Sequence, residues 1–107
     1  MPVIRIDYDD EKVSNDDMTA LSKAVRDIVS EITSIEDVFV YANNSQIKIK
    51  IAPIEVFVEM SAHKIKNIDD LMNKIKSRLS DWKKENKFSQ PINLTINPMQ
   101  WKIEIGI

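Results

Sequence analysis

Few side chains in this sequence can do chemistry, so those that can are quickly named. There is no cysteine and only one histidine, His63. Disulfides, thiolate metal sites, thiol nucleophiles and histidine-rich metal centres are therefore excluded, and no metal site is expected. One glycine, Gly106, rules out glycine-rich phosphate loops. Asp9-Asp10-Glu11 and Asp16-Asp17 are acidic clusters, but they lack the spacing and the glycine of a calcium loop. They read as carboxylates at a helix start, where the helix dipole favours anions. His63, with no partner visible in sequence, reads as a loop residue that has the chemistry of a general base.

Pro2 is the unusual candidate. A strand can begin with proline because its first N–H need not be paired. Removal of Met1 would also leave a secondary amine fixed at the start of that strand. An α-amine has a reference pKa of about 7.7–8.0. Desolvation and nearby cations disfavour its charged form. A neutral amine near pH 7 is a general base that needs no histidine, thiol, metal or other cofactor.

The elements that position these groups follow from periodicity. Residues 2–8 alternate, with Ile4 and Ile6 on one face and Arg5 and Asp7 on the other, as in a half-buried strand. Ser14 is an N-cap candidate, and Met18, Leu21, Val25, Ile28 and Ile32 recur at helical spacing to about Thr33. A strand is expected over 37–41 and a turn at 43–45. The run 46–51 alternates Ile47, Ile49 and Ile51 with Lys48 and Lys50, which reads as an edge strand. Residues 54–60 form another strand. Asn67 caps a second helix carrying Ile68, Leu71, Ile75, Leu79 and Trp82. Residues 92–97 are a strand with a polar stripe of Asn93, Thr95 and Asn97. A terminal strand is expected over 101–107.

Lys12-Val13-Ser14-Asn15-Asp16-Asp17-Met18 has an echo in Lys64-Ile65-Lys66-Asn67-Ile68-Asp69-Asp70-Leu71, each after a proline and a strand. Repeat, cap and helical stripe agree, which is what a consistent fold shows. The expected fold class is α+β, with two pseudo-repeated βαβ units around a hairpin-like middle. They build a mixed four-stranded sheet with both helices on one face, plus short edge strands. One domain spans 1–107, with unit one about 2–44, unit two about 53–98 and the terminal strand 101–107.

Charge is uneven around a net −2: residues 1–45 hold 4 basic and 10 acidic groups, and residues 64–88 hold 8 and 4. The basic stretch reads as a solvated helix surface, its lysines interspersed with acids and without an aromatic ladder, so no nucleic-acid binding is expected. No apolar run approaches a membrane span and Met-Pro-Val-Ile-Arg is no signal peptide, so no membrane association and a cytoplasmic location are expected.

Met1-Pro2-Val3-Ile4, the paired βαβ units, and Phe57-Val58-Glu59-Met60-Ser61-Ala62-His63-Lys64-Ile65 resemble the tautomerase superfamily. That group includes 4-oxalocrotonate tautomerase, 5-(carboxymethyl)-2-hydroxymuconate isomerase and macrophage migration inhibitory factor. The resemblance implies a homotrimer with pockets between subunits and a proline that moves a proton in keto–enol or allylic shifts of 2-oxo acids. Cationic groups would hold the substrate carboxylate. Lys12 falls near where short members place a carboxylate-binding arginine, and Lys64 follows the second-unit strand that helps wall the pocket. His63, Tyr41, Asn93 and Thr95 complete the candidate substrate-binding set. Lys66 stands where a glycine usually follows Lys-Ile, and lysine lacks arginine's bidentate grip. A non-catalytic binding or structural homo-oligomer on the same fold is the alternative.

Overall fold

A computed structural model describes residues 1–107. The elements are β1 (Val3–Tyr8), α1 (Asn15–Thr33), β2 (Phe39–Asn44), β3 (Ile54–Ser61), a 3₁₀ turn (Ala62–Lys64), α2 (Ile68–Glu85) and β4 (Asn93–Met99). The sheet order is β2-β1-β3-β4. β1 runs parallel to β2 and β3 parallel to β4, while β1 and β3 are antiparallel neighbours. Two βαβ units thus meet back to back at the sheet centre, as expected.

Period-2 alternation decides which side of the sheet is dry. Ile4, Ile6, Val56 and Val58 are fully buried under the helices, while Arg5, Asp7, Glu55, Phe57 and Glu59 point to the opposite face. Leu21, Val25 and Val29 of α1 and Leu71, Ile75 and Leu79 of α2 close the same core. Both caps form as read: Ser14 Oγ accepts from the Asp17 N–H at 3.1 Å, and Asn67 Oδ1 accepts from the Asp70 N–H at 3.0 Å.

Three expectations are corrected. The middle is no hairpin: β2 and β3 flank β1 and do not pair. Residues 43 and 44 are not a turn but extend β2 opposite Asp7 and Tyr8. Residues 46–51 and 101–107 are not strands in the chain. The first has to carry the chain from β2 past the end of β1 to β3. It is held by the Ser45 N–H to the Tyr8 carbonyl (3.2 Å) and the Asp9 N–H to the Pro53 carbonyl (2.9 Å). Alternation reports two faces, and a strand also needs a partner; neither segment finds one here.

Candidate functional site

Because β1 and β3 are antiparallel, the start of β1 lies where β3 ends. The ladder pairs Val3 with Glu59, so Pro2 stands beside Met60, one step further along. Pro2 is fully buried, on the same side of the sheet as Ile4 and Met60, and its carbonyl accepts the Phe39 N–H at 3.1 Å. That contact stitches β1 to the start of β2 and fixes the ring.

Beyond Met60 the chain makes its 3₁₀ turn and enters α2. Between this turn, the first turns of α2 and the last turn of α1 lies a pocket of about 300 Å³. Its floor is apolar, with Met60, Ile65, Leu71 and Ile32. Its rim is cationic, with Lys64, Lys66 and Lys74, opposed by the single carboxylate Asp70. Lys74 already pairs with Asp70 at 3.0 Å. Lys64 and Lys66 are the rim cations left to meet a ligand, and both are exposed. The chemistry of this lining fits a small anion with a short apolar body: point charges for a carboxylate, methylene and thioether surface for the rest. Lys66, which departs from the glycine of the resemblance, adds charge here.

The other candidate residues fall into two further places. Lys12 sits in the turn after β1, its N–H donating to the Asp9 carbonyl at 3.0 Å, at the far end of the strand from Pro2. A six-residue strand separates them by about 20 Å in one chain. Tyr41, Asn93 and Thr95 lie on the helix-free face. Tyr41 is a neighbour of Arg5, whose guanidinium lies over the Phe57 ring at 4.5 Å, and Thr95 follows Phe57 in the same row. Asn93 Nδ2 donates to Glu55 at 2.8 Å, near the Lys12 end. His63 is exposed on the 3₁₀ turn, at the Pro2 end. Within one chain Pro2, His63 and Lys64 therefore stand at the same end of the sheet, and Lys12, Tyr41, Asn93 and Thr95 lie elsewhere.

Sequence reasoning missed two things. Lys74 was legible only as part of a basic run, and Lys66 only as a departure from the glycine of the resemblance, although their spacing from Lys64 across the Asn67 cap was a usable signal. The second is at the opposite end. Lys48, read as an edge-strand residue, reaches back to Asp9 at 3.0 Å, to Asp10 and to Glu11 at 3.9 Å. Its hydrogen bonds hold the Asp9 and Asp10 carboxyls below the usual carboxylate range and push the Lys48 ammonium up. The Asp9-Asp10-Glu11 cluster is thus the seat of a lysine, upstream of the helix start. Asp16 and Asp17 do occupy the first turn of α1.

No family model matches the chain, and no curated protein matches it by sequence. Solved structures do. The chain is similar to a 5-carboxymethyl-2-hydroxymuconate delta-isomerase, with a TM-score of 0.69 at 12% identity over 99% of this chain and 89% of that one. It is similar to a malonate semialdehyde decarboxylase inhibited by 3-bromopropiolate, with a TM-score of 0.66 at 15% identity over 98% and 91%. A domain of unknown function from Sebaldella termitidis matches at 0.60 and 14% identity over 100% and 98%. These likenesses show the fold, which is the tautomerase fold. No helix is long and apolar enough to cross a membrane.

Proposed function

We propose that this chain, built on the tautomerase fold, is a cofactor-free isomerase that moves a proton alpha to the carbonyl of a small 2-oxo acid. The observation that carries the reading is Pro2: a buried proline at the head of a central strand, at the same end of the sheet as a lysine-rimmed pocket with an apolar floor. Once Met1 is removed, the Pro2 nitrogen is a secondary amine at the edge of the core, where desolvation and the lysines favour its neutral form. It takes a proton from the carbon alpha to the carbonyl, leaving an enolate. The resulting ammonium returns the proton to another carbon; with an enol substrate the amine takes the hydroxyl proton instead, and the ammonium delivers a proton to the alpha carbon, which gives the ketone. Lys64, joined by Lys66, holds the carboxylate as a point charge. Positioned acid–base catalysis of this kind contributes about 10²–10⁴-fold.

The same reading includes a homotrimer. Large apolar side chains stand in water along 47–51 and 103–107, and an uncovered sheet face carries Phe39 and Tyr41. Assembly also offers a way for Lys12, Tyr41, Asn93 and Thr95 to approach a neighbour's Pro2. If the fold serves binding without chemistry, the same surfaces still assemble but Pro2 is only the first residue of a strand.

The test has two parts. Intact mass of natively expressed protein reports whether Met1 is gone. Ketonisation of phenylenolpyruvate, a generic enol, is then compared for the native chain and Pro2→Ala. A loss of a hundredfold or more in kcat is expected. Retained Met1, or an unchanged rate in Pro2→Ala, hands the fold to the non-catalytic reading.

A further inference from the structure

α1 and α2 run antiparallel, because the strands they follow do. Their contact is closed at one point by the Arg78–Glu31 ion pair and opens beyond it, toward the start of α1 and the end of α2. Leu21, Val25, Ile75 and Leu79 are buried toward the sheet. On the water side of the helical layer the two helices leave a groove of about 470 Å³. It shares no residue with the lysine-rimmed pocket at the Pro2 end of the sheet. The opening has a cause in the sequence. Helix pairs fill their contact with interdigitating side chains. Here α1 offers Ala20 and Ala24 against Trp82 of α2, with Ile28 at the floor.

The walls of this groove are an aromatic ring and carboxylates. Trp82 is half-buried and leans on the Phe88 ring, 5.4 Å between centroids. An indole face attracts cations. At Phe57 the chain supplies its own, the Arg5 guanidinium at 4.5 Å, and no cation of the chain stands over Trp82. Asp81 and Glu85 flank the indole, both exposed and neither in an ion pair. The nearby cations are committed elsewhere: Arg78 to Glu31, Arg26 to Asp27 at 2.9 Å, and Lys83 to the Gln90 carbonyl at 2.7 Å. Lys23 is the free cation on the rim, and it also borders the cleft between α1 and β2, into which it can turn.

Asp81 and Glu85 are four residues apart, so about 6 Å along the helix axis. A four-carbon diamine has its two nitrogens at about that span, with methylenes between them to lie on the indole and the alanines. A metal ion suits the groove less well. Magnesium needs a near-octahedral set of oxygens at about 2.1 Å, and an indole wall supplies none.

We propose that the groove between α1 and α2 binds a short aliphatic diamine, with its ammonium groups on Asp81 and Glu85 and its carbon chain across Trp82, Ala20 and Ala24. This site is separate from Pro2 and does not depend on the isomerase reading.

Trp101→Phe leaves Trp82 as the only tryptophan, so its fluorescence reports the groove. The probe is 1,4-diaminobutane at low, constant ionic strength, with calorimetry on the unmodified chain beside it. A saturable change in Trp82 emission is expected. Asp81→Asn and Glu85→Gln, both at exposed positions, should each weaken binding about tenfold, and n-butylamine should bind about tenfold less tightly than the diamine. Ala24→Leu fills the groove and should abolish binding, with the thermal midpoint showing that the fold is kept. Lys23→Ala removes a competing cation and should tighten binding about threefold. No saturable binding at millimolar diamine overturns the proposal. So does an equal response to magnesium chloride, which would show an acidic surface and nothing more. Binding that survives Ala24→Leu places the diamine elsewhere and also overturns it. Weaker binding in Lys23→Ala would mean that the groove takes a carboxylate, and overturns the diamine as its ligand.

Discussion

The loops that follow the first strand of each βαβ unit occupy matching places in the repeat and have opposite fates. After β1, Asp9-Asp10-Glu11 is tied to Lys48, and the loop is closed by the segment crossing from β2 to β3. After β3, the turn leaves Lys64 and Lys66 unpaired around an apolar floor. The antiparallel β1–β3 contact puts these loops at opposite ends of the sheet, and so puts Pro2 beside the open one and Pro53 beside the closed one. Pro53 is embedded in the chain and has no free amine to offer. A duplicated frame thus keeps the same caps and the same helix placement, while one loop is spent on holding the chain together and the other is left for a ligand.

The comparison breaks first if the two units are not equally structural. Leu21 of α1 is fully buried and Leu79 of α2 nearly so. Truncation of a buried leucine to alanine costs about 2–5 kcal/mol, more where the cavity cannot collapse. Leu21→Ala should fall in the upper half of that range and Leu79→Ala in the lower half by urea denaturation. α1 buries more apolar side chains against the sheet than α2. A larger loss at Leu79 would make the second unit the principal core.

The open loop is sharpened by kinetics. Lys64→Ala should raise KM about tenfold and change kcat little, as expected when a ground-state carboxylate contact is lost. Lys12→Ala, in the matching place of the closed loop, is the counterpart. If it raises KM equally, the closed end also reaches a substrate, through a neighbouring copy.

The same contrast explains what the sequence could show. Both helices were legible because cap, acidic first turn and apolar stripe agree at Ser14 and at Asn67. Strands β1 and β3 were legible because one face is dry. Residues 46–51 and 101–107 misled because alternation records faces and not partners. Lys48 was illegible as a clamp, since only the crossing from β2 to β3 brings residue 48 back to residues 9–11. Pro2 was legible from its chemistry alone, but its neighbours were not. That β1 and β3 are antiparallel decides that Lys64, and not Lys12, shares its end of the sheet.

The caps should be the most nearly equal pair. Replacing a capping side chain with alanine costs about 1 kcal/mol, because a helix N–H loses its acceptor. Ser14→Ala and Asn67→Ala should each lose about that much, their bonds being of similar length at 3.1 and 3.0 Å. A clear inequality in urea midpoints, at equal m-values, would show that one loop orders its helix by means other than the cap.

The smallest effect is expected at the clamp: Asp10 and Glu11 are exposed to water, where ion pairs contribute little each, and the buried Asp9 keeps the Glu11 N–H as a hydrogen-bond donor when Lys48 is removed. Its pH dependence still identifies it. Asp9 and Asp10 titrate in the folded chain below their unfolded values of about 3.9. Their contribution to stability is therefore complete above that pH and disappears as pH falls through the lower, folded values. Lys48 titrates above its ordinary value, so its share persists through the neutral and mildly alkaline range. Lys48→Met removes the partner and keeps much of the stem. The thermal midpoint of the variant should lie a few degrees below that of the native chain and stay parallel to it from about pH 5 to pH 9. The two curves should converge below about pH 4. Addition of salt should narrow the gap at pH 7. A gap that stayed constant into acid would mean that Lys48 acts by packing and that the first loop is not held closed by charge.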